Sequence, residues 1–188
     1  MKDPVVKGHP LHAMLSDLPI GMTVAGVCFD LLGRLTPLSQ LRFAAKATLS
    51  LAFVSGIVTA LTGLWDYQAV PGDHPARRSG ALHGYLNASA LVLLLTSLIL
   101  RQRPLKDKEV GTYKSSSGAQ ISSLVALFAM VIAGWFGGET VFTHGWRVTP
   151  AEYDQLLEED LAKSGQKEHL EKVHAIVYEY KQAHTLIP

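Results

Sequence analysis

Long apolar runs alternate along this chain with short polar connections. No charged residue falls between Ala47 and Trp65, between Ser79 and Leu100 or between Ser115 and Gly138, and Pro10 to Leu32 contains only Asp17 and Asp30. A hydrocarbon core about 30 Å thick is crossed by roughly 20 mainly apolar residues at 1.5 Å helical rise each. All four runs reach that length, which predicts transmembrane helices over about 10–32, 41–65, 80–100 and 119–142. Pro10 opens the first helix, where its missing N–H costs nothing, whereas Pro19 removes a backbone bond inside it and predicts a kink. Gly33 to Leu38 and Val70 to Pro75 read as short turns, and Arg101 to Gly118 as a longer polar connection without structure of its own.

Beyond the fourth run the pattern changes. Arg147 to Pro188 carries eight acidic and five basic residues, net −3. Thr149-Pro150-Ala151-Glu152 is a capping box with proline at the first helical position, so a helix is expected to about Lys163, ending at Ser164-Gly165. A second, from about Gln166 to Ala183, sets Leu170, Val173, Val177 and Tyr180 on one stripe. The expected fold is therefore all-α: a four-helix transmembrane bundle (residues 1–146) followed by an acidic amphipathic helical tail (147–188). No internal repeat is evident. Gly134-x3-Gly138 and Gly56-x3-Ala60 read as surfaces for close helix packing.

Composition alone would mislead, because 188 residues with 48% hydrophobic and 18% charged resemble a slightly apolar soluble domain. Their distribution along the chain overrides the average. A formal net charge of +1 gives no basic footprint for nucleic acid. The single cysteine, Cys28, rules out an internal disulfide or a thiolate-held iron–sulfur cluster within this chain. Lys2, Asp3 and Lys7 followed by His9, Pro10 and His12 fit a cleaved signal peptide poorly, so the first helix is read as retained. Arg34, Arg42, Lys46, Arg101, Arg103, Lys106, Lys108 and Lys114 flank one side of the helices, against Lys2, Lys7, Arg77, Arg78 and Arg147 on the other. Basic residues favour the cytoplasm, which predicts both termini on the outer side of the membrane.

Polar residues in membrane helices are costly, so their placement carries the functional signal. His9 and His12 open the first helix with Asp17 deeper, Asp66 closes the second, His83 with Asn87 opens the third, and Glu139 with His144 closes the fourth. All fall on the outer side, and Asp30 is the acidic residue near an inner end. The pairs His9/His12 and His83/Asn87 each share a helical face. Facing helices of a bundle can converge imidazole and carboxylate ligands on a transition metal, or supply two axial imidazoles to a b-type haem with small residues such as Gly80, Gly84 and Gly145 beside the macrocycle. The same residues also suit helix packing, a membrane-interface anchor at Trp65-Asp66-Tyr67, or a pairing of Asp17 with His12 or Arg78 for folding alone. His169, His174 and His184 read as solvated residues of the tail.

The ordered motifs Gly8-His9-Pro10-Leu11-His12, Asp17-Leu18-Pro19-Ile20-Gly21, Thr62-Gly63-Leu64-Trp65-Asp66, Ala76-Arg77-Arg78, Leu82-His83-Gly84-Tyr85-Leu86-Asn87 and Gly137-Gly138-Glu139-Thr140-Val141 resemble the bacterial membrane family catalogued as domain of unknown function 2231, over residues 8–145. That resemblance implies a four-helix inner-membrane module with no assigned reaction. The resemblance also implies relatives in which such a module is followed by a Rieske iron–sulfur domain, which hints at electron transfer on the outer side, and in which histidine can stand where this chain has Glu139.

Residues and resemblance together lead to an expected redox-associated membrane protein. His12 and His83 are the foremost ligands of a haem b or transition metal, with His9, His144 and Glu139 next, Asp17 a further candidate, and Asp17 and Asn87 orienting an imidazole through its other nitrogen. The lipid bilayer, an electron-transfer protein and a second copy of the chain are the expected partners. Whether the protein is an enzyme stays open. The alternative is a structural or transport-accessory membrane protein whose polar cluster packs helices or handles protons. A hydrolase has little support, because the sequence shows no activated serine or cysteine.

Overall fold

The computed structural model of the chain describes residues 5–6, 9–102 and 116–147 and the single residues 163, 172 and 175. A two-residue antiparallel ladder, β1 (Val5–Val6) with β2 (His9–Pro10), leads into four helices: α1 (Leu11–Leu35), α2 (Ser39–Gln68), α3 (Ala76–Gln102) and α4 (Ser117–Gly138). The last runs directly into a π-helical turn, Glu139–Thr143. Each of the four helices is long and apolar enough to cross a membrane. The expected tail helices fall outside the described residues, apart from Lys163, Lys172 and Ala175, which are helical.

Helices α2 and α3 extend several residues past the apolar runs that announced them. Hydropathy reports where lipid ends, whereas backbone hydrogen bonding continues until a turn or cap stops it. Arg101, read from sequence as part of a connection, belongs to α3. At the start of α4 the Ser116 hydroxyl accepts the Ala119 N–H at 3.1 Å, a capping bond that satisfies one of the orphan donors there. Pro19 lies inside a continuous α1. It leaves the Leu15 carbonyl without its usual i+4 donor, and the Thr59 hydroxyl of α2 lies 3.3 Å from that oxygen and 3.0 Å from Ser55 O, between which its one proton is shared.

Lipid offers no hydrophobic drive between helices, so close backbone approach through small residues has to hold the bundle together. The interior follows that rule. Ala45, Ala52 and Gly56 of α2, Ala90 and Ser97 of α3, and Ala119, Ser123, Ala126 and Ala133 of α4 are buried, with Leu49, Leu94, Leu98 and Met130 as the larger fillers. Leu31, Phe43, Leu61, Val92, Phe128 and Val131 face outward. A Cβ on Gly26 would stand 2.6 Å from Leu49, and one on Gly56 2.7 Å from Leu91, so these two glycines set how close the helices come. Gly134 does not do so: a Cβ there meets nothing within 4 Å, so it sets no helix approach among the described residues.

The broad interfaces join α1 to α2 and α3 to α4. Narrower ones join α2 to α3 and α4 to α1, leaving α1 and α3 at opposite corners of the bundle. The two hairpins repeat each other. Pro19, Thr23, Gly26 and Asp30 are buried in α1, and 71 residues later Ala90, Leu94, Ser97 and Arg101 are buried in α3. A shift of 74 likewise carries the buried Ala45, Leu49, Ala52, Gly56 and Thr59 of α2 onto Ala119, Ser123, Ala126, Met130 and Ala133 of α4. This is the pattern of two parallel repeats about a pseudo-two-fold axis along the bundle. It corrects the reading that the chain has no internal repeat, because the repeat lies in burial positions and hardly in residue types.

Candidate functional site

Equivalent positions of the two repeats meet across the bundle at both of its ends. At the end where α1 and α3 begin, the rings of His12 and His83 lie edge to face, with centroids 5.7 Å apart and planes at 90°. Asp30 follows His12 by 18 residues and Arg101 follows His83 by 18, five turns along the same face and about 27 Å at 1.5 Å per residue. There the Arg101 guanidinium binds Asp30 through two nitrogens, Nη1 to Oδ1 at 2.8 Å and Nη2 to Oδ2, with both side chains at most 5% exposed. The Ser97 hydroxyl accepts from Arg101 Nε at 3.2 Å and donates to Ala119 O at 2.6 Å, extending the network to α4.

Each imidazole of the first pair is held by the partner helix of its own hairpin, in the same way. His12 Nδ1–H donates to Thr59 O of α2 at 3.0 Å, and His83 Nδ1–H donates to Ala133 O of α4 at 2.8 Å. Carbonyl oxygens only accept, so both rings carry a proton on Nδ1, and a neutral ring so held has its lone pair at Nε2. Four residues beyond each accepting carbonyl stands a glycine against the ring. A Cβ on Gly63 would fall 2.7 Å from His12, and one on Gly137 2.8 Å from His83 Nδ1. The imidazoles are thereby fixed in tautomer and position by backbone and by missing side chains.

Asn87 joins this pair: its amide donates to His83 Nε2 at 3.1 Å and to His83 O at 3.1 Å. The expectation that it would act through the other ring nitrogen is corrected, since backbone carbonyls take that role for both histidines. Asp17 is exposed on α1, and His9 is exposed in β2. Neither has a side-chain hydrogen bond or ion pair to the histidine pair among the described residues. Glu139, in the π-helical turn, and His144, just after it, line a separate open cavity with His74, Arg77 and Arg78. Asp66 does not stand alone as an interface anchor, because Arg147 Nε donates to its Oδ1 at 2.5 Å.

The donor set decides what the pair can hold. Among the described residues no three His, Cys, Asp or Glu side chains gather closely enough to hold a metal ion. His83 Nε2 accepts the Asn87 amide, so a centre taking two protein ligands through these Nδ1-bonded imidazoles would have to displace Asn87. Thr59, Ala133, Gly63 and Gly137 complete the site and were not singled out from sequence as parts of it. The available signal is the short likeness of Leu11-His12-x-x-Leu15-Ser16 to Leu82-His83-x-x-Leu86-Asn87.

Comparison with known proteins places the module. No curated protein and no solved structure matches the chain. The family model described as "Predicted membrane protein (DUF2231)" matches residues 8–150, which takes in all four helices, the histidine pair and the buried ion pair. The chain therefore belongs to the DUF2231 family of membrane proteins.

Proposed function

We propose that this protein is a redox-associated component of the bacterial inner membrane, in which His12 and His83 together hold one haem b or transition metal near the outer face. The observation that carries the reading is the duplicated frame: two imidazoles from equivalent positions, each with Nδ1–H on a backbone carbonyl and its ring against a glycine. A hydrogen-bonded Nδ1–H raises the basicity of the opposite nitrogen and fixes the ring plane, as metal-bound histidines require. The count of two favours haem, whose iron has two axial positions to fill.

Such a group would supply one-electron transfer. The residues of this chain would do the rest. His12 and His83 would bind it through Nε2, with the Asn87 amide released from His83 Nε2. Thr59 and Ala133 would hold the ligand rings in orientation, and the apolar interior formed by Leu94, Ala126 and Met130 would keep water from the site's inner side. The lysine and arginine distribution supports an outer location and hence an extracytoplasmic electron-transfer protein as partner.

The second reading is a structural or transport-accessory protein with a polar, proton-handling cluster. It is favoured by the Asn87 amide, which already satisfies His83 Nε2 within the protein. Visible absorption of the protein purified in mild detergent, oxidised and then reduced, separates the two. The redox reading expects a haem or metal spectrum that is lost in His12→Ala and His83→Ala and retained in His174→Ala. A folded wild-type protein without such a spectrum and without bound metal overturns it in favour of the second reading.

A further inference from the structure

Two groups of motif residues are left unused by the histidine pair: Arg77-Arg78 at the start of α3 and Glu139 just after α4. They meet in one open cavity of about 910 Å³ at the histidine end of the bundle. Its cationic side is built. Arg77 donates from Nη1 to Val70 O at 2.6 Å and lies over the Tyr67 ring at 5.0 Å, which fixes the guanidinium while leaving its charge without an ion pair among the described residues. His74 Nδ1 accepts the Ala76 N–H at 3.1 Å, so its Nε2 carries the proton and is a donor. Arg78 is exposed, lines the same cavity and has no side-chain partner among the described residues.

Glu139 lines this cavity as well, yet forms no ion pair or side-chain hydrogen bond with the arginines or any other described residue. Elsewhere opposite charges in this chain close on each other, as Asp30 does with Arg101 and Asp66 with Arg147. Here a carboxylate and two guanidiniums share a cavity and stay apart. The carboxylate opens a π-helical turn, a rare element that is frequent at functional sites. Leu82 and Phe136 supply apolar wall, and the cavity lies at the end of membrane-spanning helices, where headgroups lie.

Separated charges of both signs beside apolar wall at a membrane rim complement a zwitterionic amphiphile. We propose that this cavity binds the headgroup of phosphatidylethanolamine, its phosphate against Arg77, Arg78 and His74 and its primary ammonium against Glu139. Phosphate suits forked guanidinium donors. The ammonium has three N–H donors for the carboxylate, which the quaternary ammonium of phosphatidylcholine lacks, and of the two lining rings, Tyr67 and Phe136, Tyr67 is already covered by Arg77. The proposal is independent of whether the histidine pair holds a redox group.

The test uses the full-length protein, stripped of lipid in detergent and titrated with short-chain phosphatidylethanolamine, phosphatidylcholine or phosphatidylglycerol or with soluble O-phosphoethanolamine, binding being read by calorimetry. Phosphatidylethanolamine is expected to bind tightest. Loss of one charge-assisted contact corresponds to about a tenfold weaker Kd. Arg78→Gln should weaken all three lipids by about that factor, while Glu139→Gln should weaken phosphatidylethanolamine alone and bring it level with phosphatidylcholine. Mass spectrometry of lipid co-purified with the same variants gives a readout that needs no stripping. Equal binding of the three lipids overturns the proposal, as does a preference for phosphatidylglycerol that Glu139→Gln leaves intact. Equal binding of O-phosphoethanolamine and the lipid also overturns it, by assigning the cavity to a soluble ligand.

Discussion

The two ends of the bundle use equivalent helix positions for opposite purposes. Asp30 and Arg101 form a fully buried pair whose charges and hydrogen bonds satisfy each other, with Ser97 tying the arginine to α4. His12 and His83, five turns away on the same faces, are only partly buried, with their Nδ1–H groups bonded to backbone and His83 Nε2 accepting from the Asn87 amide. The ion pair closes one end, while on the proposed function the imidazole pair at the other would take a ligand. Burial and partner type separate the two polar layers of this chain, although both occupy equivalent positions of one repeated unit.

The largest expected effect lies at the closed end. Arg101→Ala strands the Asp30 carboxylate inside the bundle and should lower stability by about 3–5 kcal/mol, whereas the double change Asp30→Leu with Arg101→Leu should recover most of that loss. Unfolding in detergent measures both. A single variant as stable as wild type would show that this layer is not structural. Next, Gly137→Ala pushes a Cβ into His83 and should cost about 1–3 kcal/mol while displacing the imidazole. Gly134→Ala, where a Cβ meets nothing, should be neutral or slightly stabilising, and equal losses for the two would break the argument that the ring rests on Gly137.

A smaller effect is expected at the rim of the histidine end. Asp66→Asn removes the partner of Arg147 and should cost about 1–2 kcal/mol, intermediate between exposed and buried pairs, as read from a melting curve with and without added salt. The smallest change in stability belongs to Asn87→Ala, because Asn87 is half-buried and, among the described residues, its side chain bonds only to His83. It should leave the fold intact and any bound redox group in place while shifting its reduction potential. Loss of the group in that variant would make Asn87 part of the binding frame.

Much of the architecture was legible in the sequence because lipid imposes a length and a polarity on every spanning helix. The apolar runs, three of them charge-free, located all four helices, and the cost of polar groups in membranes directed attention to His12, His83, Asp30 and Asn87. What stayed hidden depends on contacts that residue types do not encode. The carbonyls of Thr59 and Ala133 have no sequence signature. Gly63 and Gly137 look like any other small residue in a membrane helix. Arg101 read as a topology signal because its partner lies 71 positions away. The repeat escaped for a related reason: Asp30 matches Arg101 and Gly26 matches Ser97 in position and burial, with no likeness of side chain.

The most direct measurement of the central proposal is the ratio of bound haem or metal to polypeptide in the protein purified from membranes, by pyridine haemochrome assay and elemental analysis. About one per chain is expected for the wild type, none for His12→Ala or His83→Ala, and an unchanged value for His174→Ala, with all variants equally monodisperse in detergent. A ratio near zero in the folded wild type, or one that survives the loss of either histidine, would contradict a shared site between the two repeats.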